Sequence, residues 1–152
     1  MELVNTQYSV PAMTNRDLEI AYEAEDLLRP LEQIILTTWH TLHGGVYTRT
    51  IVLNAGETVV GAKIRIPTTL VINGKMKLFI GSEVVHIDGT RVLVASANRK
   101  QIMTAIEETS IVMIFKTNAK TVEEAEIEFT DEHDKLMSRL DVSVNHITIS
   151  GE

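Results

Sequence analysis

The chain has 152 residues, 44% of them hydrophobic and 23% charged, with no cysteine and a formal net charge of −7. That length suits one domain with a full core of its own, and the missing cysteines exclude disulfides, thiolate catalysis and thiolate metal sites. The acidity argues against nucleic acid as a general partner, because binding there begins with phosphate neutralisation. No apolar run approaches the roughly 20 residues needed to cross a bilayer, so no membrane partner is expected. The opening Met1-Glu2-Leu3-Val4-Asn5-Thr6 has neither a basic nor an apolar leader segment, so residence in the cytoplasm is the expectation.

The charge is unevenly spread. Residues 1–45 net −5, residues 46–116 net +4 and residues 117–152 net −6. A basic centre with acidic flanks fits flanks that pack on it and balance it. It also fits a cavity that uses some of the cations to hold an anion.

In chain order, residues 1–13 have no period and read as an arm. Thr14 caps a helix, with Asp17 three residues on completing a capping box, and Leu18, Ala21, Ala24 or Glu25, and Leu28 recurring at helical spacing. Pro30 ends it. Ile34 to Trp39 predicts a strand, followed by a loop from His40 to Gly45. Val46 to Leu53 alternates, which puts Tyr47, Arg49, Ile51 and Leu53 on one face. Thr58 to Ile66 predicts another strand, stopped by Pro67. Asn73-Gly74 between Thr68–Ile72 and Lys75–Ile80 predicts a tight hairpin, and Asp88-Gly89 between Glu83–Ile87 and Thr90–Val94 predicts a second. Gln101–Ile106 and Thr109–Phe115 complete about eight strands, the pattern of a sandwich or barrel, with Met103 and Met113 in its core. Thr121 and Thr130 each open a helix, the second running to about Leu140 with Leu136 and Leu140 on one face. Val142 to Ile149 alternates and reads as an exposed or partner-facing strand. The acidic cluster Glu123, Glu124, Glu126, Glu128 and Asp131 reads as a wet helix face.

The order strand, Asn54-Ala55-Gly56-Glu57, strand, Asn73-Gly74, strand, Gly81, strand, Asp88-Gly89, strand resembles the cupins, double-stranded β-helix jelly rolls, over residues 34–116. The resemblance implies an all-β barrel with one N-terminal helix and two short C-terminal helices: residues 1–33 arm and helix, 34–116 barrel, 117–152 C-terminal elements, in a single domain. Cupins commonly hold a metal through histidines and a glutamate of two motifs. Here those positions fall on Gly61, Lys63 and Pro67, or on Ala62, Ile64 and Thr68 one residue along, and on Lys100 or Gln101 in the second motif. Asn98 is the better stand-in for that motif's glycine, since asparagine tolerates a left-handed backbone. The substitutions imply no metal and no cofactor. A narrower resemblance, carried by His43-Gly44-Gly45-Val46-Tyr47-Thr48-Arg49 and Glu128-Phe129-Thr130-Asp131-Glu132, is to small cupin-like proteins of bacteriophages and prophages.

Two constellations carry candidate chemistry. His40 and His43 on a loop at the barrel mouth, with Tyr47 and Arg49 sharing a strand face, suggest a site. In it, His43 and Tyr47 are the candidate acid–base pair of an epimerase-like enzyme. Lys63, Arg65 and Gln101 alternate onto the concave face and suit an anionic ligand. The reading is a metal-free binding protein for a small anionic ligand in the barrel, more a binder than an enzyme. The alternative is a phage structural or accessory protein that uses the jelly roll for assembly, with virion partners. Unpaired sheet edges and the N-terminal helix point to a homodimer.

Overall fold

The computed structural model describes residues 9–152. The arm is described only from Ser9; the remainder of that reading lies outside the described residues. Strand β1 (Ser9–Val10) leads to helix α1 (Asn15–Leu28), whose capping box forms as expected: the Asp17 amide donates to Thr14 Oγ1 and the Thr14 amide to the Asp17 carboxylate, both at 3.1 Å. Leu18 and Ala21 are buried against the barrel. Strands β2 (Thr38–His43), β3 (Val46–Leu53), β4 (Thr58–Val60), β5 (Thr68–Ile80), β6 (Glu83–Ala95), β7 (Ile102–Ala105) and β8 (Thr109–Lys116) form the barrel. Helix α2 (Val122–Phe129), a one-turn helix α3 (Met137–Leu140) and strand β9 (Asn145–Ile149) close the chain.

The strand order is β1-β6-β5-β8-β3-β2-β9, with β4 on β7 and β7 on β5. All pairs are antiparallel except β1–β6 and β2–β9. The long β5–β6 ribbon belongs to both halves of the jelly roll: β5 pairs with β8 over Thr69–Asn73 and with β7 over Met76–Phe79. The fold is thus the all-β jelly-roll barrel expected. Its core runs from Leu42 and Leu53 through Ile72, Met76 and Leu78 to Phe115 and Phe129, and includes Met103 and Met113. No helix among the described residues is long and apolar enough to cross a membrane.

Several boundaries differ from expectation. Asn73-Gly74 and Asp88-Gly89 are not turns; β5 and β6 run straight through them, and Gly74 faces Gly89 across the ribbon. The glycine at 74 answers a close approach instead. A Cβ there would lie 2.6 Å from the Glu108 carbonyl and would also meet Thr109 Oγ1, and φ is +147°. The hairpin turn sits at Gly81-Ser82, with Gly81 at φ +59°. The expected strand at Ile34 begins only at Thr38, so His40 to His43 are strand rather than loop. The expected strand Thr58–Ile66 ends at Val60, with one further bridge, Ile64 to Arg99. The helix expected from Thr130 to Leu140 breaks into a 3-10 turn at His133–Lys135 and α3. β9 pairs with β2, and its other edge has no partner strand among the described residues.

Candidate functional site

Period-2 alternation on β2 turns Thr38, His40 and Leu42 inward and Trp39 and His43 outward. This separates the two histidines. His43 is exposed and contacts Ser150 Oγ at 2.6 Å, so the expected His43–Tyr47 pair does not form. His40 takes its place: its Nδ1 lies 2.7 Å from the hydroxyl of Tyr47, and both residues are buried. The tautomer follows from the neighbours. Asn145 donates through Nδ2 to the Ser138 carbonyl and so presents Oδ1 to His40 Nε2 at 2.8 Å. Nε2 therefore carries the proton, and Nδ1 accepts from Tyr47. Burial holds the His40 pKa below its ordinary value, against the pull of the Asn145 hydrogen bond. The same burial pushes the Tyr47 phenol up, partly opposed by Arg49.

Tyr47 and Arg49 share the inward face, as the alternation of β3 requires. Arg49 donates to Tyr47 at 3.2 Å and to Glu126 of α2 at 2.9 Å, and its guanidinium covers the Phe129 ring at 5.4 Å. Glu126 also accepts from Arg139 at 2.9 Å and from the Ser138 hydroxyl. Burial pushes the Glu126 carboxyl up, but the hydrogen bonds from Ser138 and Arg139 and the charge of Arg49 outweigh it, and the net shift is downward. Every polar atom named here has a partner, so the network locks the C-terminal segment onto the barrel. It offers no open acid–base pair. Glu126 is buried, which corrects its reading as part of a wet face. The spacing Val122, Ala125, Glu126, Phe129 is one helical stripe, and that signal places Glu126 on the apolar side.

Lys63 and Arg65 come together elsewhere. They line a recess of about 280 Å³ with Tyr22, Asn98, Asp131 and Glu132. Asn98 adopts the left-handed backbone expected of it, φ +62°, and ties to Met13 through its side chain and its carbonyl. Arg65 pairs with Asp131 and donates to the Glu128 and Ile127 carbonyls. Beneath the recess lies Lys100, missed as a structural cation. It reaches Glu25 at 2.8 Å and Glu132 at 3.1 Å and sits 4.6 Å over the Tyr22 ring. Glu132 also accepts from the Lys63 amide at 2.7 Å and from Tyr22 at 3.1 Å. Burial raises the Tyr22 phenol to about 12, reinforced by Glu132. Burial also pushes Glu132 up, yet the Lys63 amide and Lys100 pull it below its ordinary value. The Lys63 ammonium has no ion-pair partner among the described residues, unlike Arg65 and Lys100.

Gln101 is not in the recess. It is 7% exposed and touches the guanidinium of Arg99, which is fully buried and was not singled out in the sequence. Arg99 also binds Thr68 Oγ1 at 2.6 Å. Thr68 and Gln101 are positions the cupin resemblance assigned to metal ligands, one in each motif, and here a guanidinium lies between them. No group of three His, Asp or Glu side chains able to hold a metal occurs among the described residues. The guanidinium is cationic and has no lone pair to offer, and it occupies the Thr68 and Gln101 oxygens, so the set does not fit a divalent cation.

No family profile and no curated protein matches the chain. Solved structures do resemble it. Ectoine synthase from P. lautus is 14% identical over 65% of this chain and 76% of its own, with a TM-score of 0.49. A cupin superfamily protein from Desulfitobacterium hafniense DCB-2 is 12% identical over 60% and 88%, at 0.47. A cupin-2 domain protein from Shewanella frigidimarina NCIMB 400 is 10% identical over 61% and 91%, at 0.44. At these identities the likeness concerns fold alone and says nothing of ligand or reaction.

Proposed function

We propose that this chain is a metal-free, cupin-like binding protein without catalytic activity, and that its ligand lies in the recess at the barrel mouth rather than inside the barrel. The observation that carries this is the Lys63 ammonium, the one cation of the recess left without a carboxylate partner among the described residues. Tyr47 and Arg49, expected to line an open cavity, instead fill the interior. Lys63, Arg65 and Lys100 face Glu25, Asp131 and Glu132, so the recess is neutral as a whole. That balance suits a small ligand with one carboxylate or phosphate on Lys63 and hydroxyl or amino groups toward Asp131 and Asn98. In a thermal-shift screen of small carboxylates and phosphates, Lys63→Ala should keep the unliganded midpoint and abolish the ligand-induced rise. A rise that survives in Lys63→Ala, or no rise with any compound, would remove the recess as the site.

A second reading, an assembly module of phage or prophage origin, is favoured by β9. Ile147 and Ile149 are about half exposed, the strand is uncharged, and its outer edge has no partner strand among the described residues. Of the α1 stripe expected to help a dimer form, Leu18 and Ala21 are buried within the chain's own fold, which favours the sheet edge as the contact. Two copies pairing β9 to β9 would form a continuous sheet about a two-fold axis. Sedimentation should then give a dimer for the natural chain and a monomer for Ile147→Lys. A natural chain that is monomeric at every accessible concentration rules the edge contact out.

A further inference from the structure

Arg99 is the largest of the fully buried side chains among the described residues, and no carboxylate among them pairs with it. Its partners are neutral oxygens: Ser96 O at 2.6 Å, Ile66 O at 3.3 Å, Thr68 Oγ1 at 2.6 Å and Gln101 Oε1 at 3.4 Å. These use four of the five guanidinium N–H groups. Beside it the Gln101 Nε2 amide is buried with no acceptor among the described residues. Three N–H donors and one whole positive charge are therefore left uncompensated inside the barrel. An isolated buried ion is among the most expensive features a fold can keep, and natural folds rarely leave buried amide donors unmatched.

We propose that Arg99 and Gln101 hold a small monovalent inorganic anion of the chloride class in the barrel interior. One negative charge matches the one unpaired cation. The free Nη2 hydrogen and the buried Gln101 amide supply donors, and no carboxylate among the described residues competes for them. A dianion would leave one negative charge in excess beside the single guanidinium. This site is separate from the recess: Lys63 is not part of it, and its occupant is part of the folded core. Burial as the dominant influence lowers the Arg99 pKa to about 10, the condition an adjacent anion would relieve.

Because only the folded chain would hold the anion, stability should be linked to its concentration. The test is denaturant unfolding in bromide–gluconate mixtures at constant ionic strength, together with anomalous scattering from crystals grown in bromide. At fixed denaturant, the unfolded-to-folded ratio should fall roughly tenfold for each tenfold rise in bromide above saturation, as for one site. A bromide peak should lie within hydrogen-bond distance of Arg99 and Gln101. Gln101→Glu puts a carboxylate where the anion sits, so this variant should fold, be more stable than the natural chain in gluconate alone, and ignore bromide. Lys63→Ala should retain the full bromide response, which separates this site from the recess. A natural chain indifferent to bromide, a peak absent from Arg99, or a Gln101→Glu variant still responding to bromide would each overturn the proposal.

Discussion

Replacing Glu126 by alanine should destabilise the fold by about 3–5 kcal/mol, since it leaves two partly buried arginines facing each other without their shared carboxylate. Arg49 and Arg139 approach Glu126 from the barrel and from α3, both at 2.9 Å, and Ser138 adds a third donor. The loss should appear in urea unfolding as a lower midpoint. A change below about 1 kcal/mol, the range of an exposed pair, would mean the network does not clamp the C-terminal segment. Acid should act on the same network in two stages. The His40 pKa is depressed below 6.5, so the unfolded chain takes up a proton there that the folded chain refuses, and stability falls as pH drops below about 6.5. The Glu126 and Glu132 pKa values are depressed below 4.5, so what they contribute is complete above that value and is lost as pH falls further. Glu126→Ala should lose part of the second stage, with Glu132 keeping the rest.

Gly74→Ala should cost roughly 3 kcal/mol, combining overpacking against backbone with a backbone conformation costly for any other residue. The Glu108 carbonyl and the Thr109 Cα, each 2.6 Å from the added carbon, cannot swing aside as a side chain can. They belong to the turn joining β7 to β8, which presses on β5 where β5 changes partners. Gly56→Ala is the control, with φ +86° and open space around the new methyl; it should cost only about 1–2 kcal/mol. Equal losses at the two positions would show that backbone angle alone matters and that the close approach at Gly74 does not.

That same glycine shows where the sequence can and cannot be read. Asn73-Gly74 is a genuine local turn signal, but β5 stays extended there because β8, β7 and β6 supply its hydrogen bonds in turn. These are long-range pairings that no short window contains. The capping box at Thr14, the inward face of β3 and the left-handed Asn98 were legible because each is set within a few residues. Apolar period alone could not place His40 inside, since the run Ile34–Trp39 looks more strand-like than His40–His43. The partner that fixes it, Asn145, lies 105 residues away. Glu126 was legible as one position of an apolar stripe. Arg99 was not, because a lone arginine beside a lysine reads as surface until Thr68 and Gln101 are brought to it.

The claim on which the functional reading rests is that the positions the cupin resemblance assigned to metal ligands carry fixed positive and neutral groups instead. Purified protein, incubated with excess zinc, iron(II), manganese and nickel and then desalted, measures this directly by elemental analysis. The expected result is far less than one metal per chain for every ion, with an unchanged unfolding midpoint. One equivalent of any of them, retained by the natural chain and lost in Gln101→Leu, would contradict it.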